Sequence, residues 1–69
     1  MKNARQIIDD IDDYCMDDGQ VAYVSGDGSW YVSNDGCQPS NTFPVSYVDL
    51  NRMSPDELAE YLEEFLTRE

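Results

Sequence analysis

Fifteen of the 69 residues are carboxylates, and their grouping is the part of this sequence best equipped for chemistry. Asp9, Asp10, Asp12, Asp13, Asp17 and Asp18 form one group; Asp56, Glu57, Glu60, Glu63 and Glu64 form another. Carboxylates at close spacing serve general acid–base catalysis, cation binding, or electrostatic capture of a basic surface. Catalysis finds little else to work with. The chain has no His, its only Lys is Lys2, and neither Cys15 nor Cys37 stands in a basic setting that would activate a thiol. A carboxylate pair acting on a glycoside needs a deep cleft and a raised pKa, and a core of this size hardly shapes such a cleft. A non-enzymatic chain without a cofactor is the expectation.

A dedicated cation site fails on register. The run from Asp9 to Gly19 is superficially like a calcium loop. An EF-hand loop, however, alternates its ligands, turns on a glycine at its sixth position and closes on a glutamate at its twelfth. Here the acids follow helical spacing and Gly19 comes last. Cys15 and Cys37 match no metal or redox spacing. Weak surface binding of divalent ions is expected, and no metal site.

Electrostatics remains. Fifteen acidic residues against four basic ones give a net charge of −11, and no Lys or Arg occurs between Gln6 and Asn51. Such a charge keeps a protein soluble at the expense of self-repulsion. A direct nucleic-acid binder needs the opposite sign to displace counterions from phosphate. The chain is therefore expected not to bind DNA or RNA itself; its charge fits a basic protein surface.

The elements that position these acids are legible in the apolar pattern. Ile7, Ile8, Ile11, Tyr14 and Cys15 mark one stripe of a helix over residues 4–17, with Gly19 as its stop. Cys15 on that stripe reads as a buried reduced thiol, with a disulfide or a dimer bridge as alternatives. Residues 20–25 and 29–34 read as strands joined by Gly26-Asp27-Gly28 in a hairpin. With Asp27-Gly28 as the turn pair, Val21 and Tyr23 share a face with Trp30 and Val32, and Val24 meets Tyr31 on the other. A third strand is expected over Phe43–Asp49, either at an edge or starting beyond Pro44, which cannot donate to a ladder. Ser54-Pro55-Asp56-Glu57 is an N-cap, a first-turn proline and a capping-box glutamate. It opens a last helix whose buried stripe is Leu58, Tyr61, Leu62, Phe65 and Leu66. The sum is one α+β domain over 1–69, ordered α-β-β-β-α, with a three-stranded antiparallel sheet and both helices on one face. No apolar run is long enough to span a bilayer and no leader is apparent, so a cytoplasmic location is expected.

On a helical wheel the first group of acids lies opposite or beside an apolar stripe about 120° wide, and the second lies opposite its own stripe. Asp9–Asp13, Asp13–Asp17, Asp56–Glu60 and Glu60–Glu64 are like-charge i,i+4 pairs, each costing roughly 0.2–0.5 kcal/mol. Only Glu64–Arg68 has the favourable sign and order. Asp9 to Asp18 would span roughly 13 Å of helix, about one charge per 2.3 Å. Duplex DNA carries about one per 1.7 Å counting both strands. Tyr31, Tyr47 and Trp30 would add aromatic anchors if the sheet has a free face.

A very short, acidic, lysine-poor α/β chain without catalytic residues resembles the small anti-CRISPR proteins that act as DNA mimics against type I Cascade complexes, the type I-C group among them. The resemblance covers size, charge and element order over the whole chain. It implies an inhibitor in a bacterial host cell that occupies the basic groove of a Cascade subunit and prevents DNA binding. It implies no block of cleavage once DNA is bound. The site residues expected to meet that groove are the eleven acids of the two groups, taken from the wheel. The same mimicry aimed at a restriction enzyme or another DNA-binding protein is the nearest alternative. An acidic adaptor, or a halophile-type solvated surface with no nucleic-acid competition, is the alternative of a different class.

Overall fold

The computed structural model describes residues 2–68. Helix α1 runs Ala4–Asp13, strands β1, β2 and β3 run Val21–Ser25, Trp30–Ser33 and Thr42–Ser46, and helices α2 and α3 run Tyr47–Arg52 and Pro55–Thr67. The expected α+β class with one three-stranded antiparallel sheet is present, and the sheet order is β2-β1-β3.

α1 opens on a capping box that the sequence reading missed. Asn3 accepts from the Gln6 N–H at 2.9 Å, and Gln6 Oε1 accepts from the Asn3 N–H at 3.1 Å. The helix then stops four residues earlier than expected, at Asp13 rather than residue 17, because Cys15 takes φ 64°, the left-handed region. That reversal carries Cys15 off the apolar stripe. Met16 is buried behind it, whereas Cys15 is an exposed free thiol, as is Cys37. The left-handed conformation costs a residue with a Cβ about 1–2 kcal/mol. Cys15→Gly removes that strain and increases unfolded-chain freedom by a smaller amount. The variant should melt a few degrees higher by circular dichroism; a lower melting temperature contradicts the strain.

The hairpin forms, with a loop one residue longer than expected. Gly28 N–H donates to the Ser25 carbonyl at 3.0 Å, Ser25 N–H donates to the Ser29 carbonyl at 2.9 Å, and Gly28 adopts φ 93°. This is a turn followed by a left-handed glycine, a three-residue loop. The register becomes Val24↔Trp30, Tyr23↔Tyr31 and Ala22↔Val32. A one-residue slip exchanges the faces. Ala22 and Val24 therefore join Trp30 and Val32 toward the helices, while Tyr23 stacks at 6.0 Å on Tyr31 on the opposite face.

Asp27 holds this loop. Its carboxylate accepts from Ser25 Oγ at 2.6 Å and from the Ser29 N–H at 2.9 Å, which lowers its pKa from 3.8 to about 2. Asp35 repeats the arrangement: Ser33 Oγ and the Cys37 N–H donate to it and pull its pKa below the ordinary value. A depressed carboxylate stabilises the fold fully above its unfolded pKa, and the contribution is lost as pH falls through the folded pKa. Asp27→Asn should therefore flatten the decline of melting temperature between pH 3.8 and about 2. An unaltered slope would show that the loop does not hold the charge.

β3 pairs with β1, and Pro44 sits opposite Tyr23 on the outer edge, as its missing N–H requires. The strand ends at Ser46, not at Asp49 as expected. Ser46 caps a helix, its Oγ accepting from the Asp49 N–H at 3.1 Å, so Tyr47 and Val48 open α2. β2 and β3 run parallel on either side of β1, so residues 34–41 must carry the chain along and across the sheet. The helices fill one face. On the other face Tyr23, on the central strand, is only 2% exposed.

α3 opens as expected on Ser54, whose Oγ accepts from the Glu57 N–H at 3.2 Å. The Glu57 carboxylate accepts from the Ser54 hydroxyl at 3.1 Å. α1 and α3 pack on the same sheet face, with Ile7, Ile11, Leu62, Val24 and Val45 at the centre of the core. Of the stripe expected for α3, Leu58 and Leu62 are buried and Phe65 and Leu66 partly so. Tyr61 is not: it is 60% exposed.

Candidate functional site

Of the eleven acids expected to form the surface, ten are exposed and Asp10 is partly buried. Among the described residues no polar or charged side chain is buried. The fold thus directs every one of these carboxylates to the outside. It divides them differently from the sequence reading. Asp9, Asp10, Asp12 and Asp13 are on α1, whereas Asp17 and Asp18 lie beyond its end, in the turn into β1. The continuous nine-step helical row is therefore broken, and Asp13–Asp17 is not a helical pair. Asp56, Glu57, Glu60, Glu63 and Glu64 are all on α3.

Three of the acids have a structural task. Lys2 pairs with Asp10, and Arg5 on α1 pairs with Asp56 on α3. Glu57 meets the Ser54 cap, and with Asp56 it occupies the first turn of α3, where the helix dipole favours negative charge. The expected Glu64–Arg68 pair is absent among the described ion pairs, which are Lys2–Asp10, Arg5–Asp56 and Arg52–Asp49.

The other eight acids, Asp9, Asp12, Asp13, Asp17, Asp18, Glu60, Glu63 and Glu64, have no ion-pair partner among the described residues. Asp12 and Asp13 are worse placed than that. They stand in the last turn of α1, which holds no basic residue, against the negative end of the helix dipole. Each such placement costs roughly 0.3–1 kcal/mol at a surface, in addition to the Asp9–Asp13 repulsion.

The Arg5–Asp56 pair ties the start of α1 to the start of α3. Arg5 lies one turn before Asp9, and a shallow groove beside it is lined by Ala4, Ala59, Glu60 and Glu63. The acids of α3 thus border the start of α1, where Arg5 stands, whereas Asp12 lines a separate groove beside Tyr47 and Asn51 of α2. The eleven acids are spread over a molecule measuring 30 × 25 × 16 Å rather than along a straight row.

The aromatic anchors are distributed otherwise than expected. Trp30 packs against the core and meets Tyr14 edge-on at 5.4 Å; Tyr31 is exposed on the face opposite the helices; Tyr47 is exposed on α2. Among the acids of α3 stands Tyr61, which the apolar pattern had placed in the buried stripe. With Phe43 and Phe65 it lines a cleft that also borders Glu64 and Arg68. The signal was available on the wheel: Tyr61 lies at the edge of its stripe, roughly 70° from its middle, on the side of Glu57 and Glu64.

No group of three or more potential metal ligands comes together among the described residues, and no helix among them is long and apolar enough to cross a membrane. No protein-family model, curated protein or solved structure matches the chain significantly, so the chemistry of this surface has to be read from its own geometry.

Proposed function

We propose that this chain is a nucleic-acid mimic, an inhibitor that occupies a basic DNA-binding surface on a bacterial defence complex and keeps target DNA away. A type I CRISPR Cascade is the complex that its resemblance to small acidic anti-CRISPR proteins favours. The observation that carries the reading is the last turn of α1, where Asp12 and Asp13 oppose the helix dipole in a turn that has no basic residue and make no ion pair among the described residues. Charge placed for solubility or fold stability would avoid that position. Charge placed to meet rows of Lys and Arg gains from complementarity and from steered association.

The test is a mobility-shift competition with purified Cascade and target duplex. Added before DNA, the chain should abolish the shifted band; added after the complex has formed, it should leave cleavage intact. Its affinity for Cascade should fall at least about tenfold as salt rises from about 0.05 to about 0.2 M. Undisturbed DNA binding by Cascade at saturating chain would rule out that target. Competition with a restriction enzyme instead would redirect the mimicry.

A further inference from the structure

We infer that the cleft between α3 and the start of β3 is an anchor site for one arginine side chain of the basic partner, held on the ring of Tyr61 beside Glu64. This rests on the reading of the chain as a ligand for a basic protein surface.

Three features converge there. Phe43, Phe65 and Tyr61 form a contiguous aromatic wall, with ring centroids 5.7 Å and 6.3 Å from that of Phe43. Tyr61 is 60% exposed, so it presents its ring while Phe43 and Phe65, partly buried, hold it from behind. Carboxylates flank it on its own helix: Glu57 one turn before, Glu60 adjacent, Glu64 one turn after, and these line the shallow groove on the other side of the same ring. An aromatic face flanked by anions is attractive to a cation and repels an anionic ligand. Arginine satisfies both parts at once, because its planar guanidinium stacks on a ring and forks onto a carboxylate; lysine offers a point charge that stacks less well. The cleft opens to solvent, and its volume of about 630 Å³ is more than sufficient for one side chain.

Arg68 lines the same cleft. It makes no ion pair among the described residues, so it contributes positive charge without neutralising Glu64. The chain's own guanidinium should therefore weaken the site.

The experiment is a two-dimensional NMR titration of the full chain with an arginine-only peptide and, in parallel, a lysine-only peptide of equal length. The arginine peptide should shift the Tyr61 ring resonances and the amides of Gly26 and Phe43, which border the cleft. Tyr61→Ala should weaken arginine-peptide binding by about 3- to 30-fold and lysine-peptide binding by less than about twofold. Tyr61→Phe should bind like the wild type. Arg68→Ala should tighten arginine binding about twofold. Equal binding of the arginine peptide by Tyr61→Ala and wild type overturns the inference, as does a wild-type titration in which the Tyr61 ring does not move. The two proposals fail separately. A chain that takes arginine at Tyr61 yet never displaces DNA refutes the mimicry alone. A Tyr61→Ala chain that displaces DNA as well as the wild type refutes the anchor alone.

Discussion

Replacing Asp9, Asp12 and Asp13 together by lysine should reduce competition with DNA by more than about a hundredfold, because like charges set against one another across an interface cost several kcal/mol. The fold should be unharmed, and here the geometry makes the test unusually clean. All three side chains are exposed and none has an ion-pair partner among the described residues. Lysine at positions 12 and 13 would stand in the last turn of α1, where the dipole favours a cation. The triple variant should thus melt at a higher temperature than the wild type while inhibiting less. Opposite movement of stability and inhibition cannot arise from misfolding. Neutralising Asp56 should do the reverse: it breaks the Arg5 pair between the helices, lowering stability slightly with a smaller loss of inhibition. A triple variant that competes undiminished would remove the α1 acids from the working surface. A wild-type chain that loses its circular dichroism at low salt would favour the halophile-type alternative.

Legibility in the sequence followed how local the deciding chemistry was. Ser54-Pro55-Asp56-Glu57 announced α3 because a cap needs only neighbours three residues apart, and the hydroxyl does accept from the Glu57 N–H. Pro44 narrowed the third strand to an edge or a start beyond the proline, since a missing N–H bars it from a central ladder, and the strand runs through it at the edge. The end of α1 was hidden, since the helical period runs on through Tyr14 and Cys15 and a cysteine carries no signal for the left-handed conformation it adopts. The hairpin was visible but its register was not. Gly26-Asp27-Gly28 accommodates a loop of either length, and the difference of one residue exchanged the faces of Tyr23 and Val24. α2 was masked because Tyr47 and Val48 look like strand, and only the seating of the Ser46 hydroxyl on the Asp49 N–H turns them into a helix. The acids themselves were legible one by one. Their arrangement was not, because Asp17 and Asp18 leave the helix and because Arg5 and Asp56, 51 positions apart, meet only when the helices pack.

That packing leads to the second large effect. Leu62→Ala should lower the melting temperature by roughly 10–30 °C, whereas Tyr61→Ala, one residue away, should change it little. Leu62 is completely buried between the helices and the sheet, and Tyr61 is 60% exposed. Truncating a buried leucine costs about 2–5 kcal/mol through lost transfer energy and the cavity left behind. A domain of this length has roughly 3–10 kcal/mol to lose. Self-repulsion among the unpaired carboxylates works against the same balance, so added salt should recover part of the deficit in Leu62→Ala by screening. The functional consequence separates scaffold from surface. Leu62→Ala keeps every carboxylate, so in the cold, where it folds, it should inhibit normally, and inhibition should vanish across its own melting transition. Inhibition persisting above that transition would mean that an unfolded acidic chain suffices. The side-by-side arrangement of α1 and α3 would then contribute nothing to recognition.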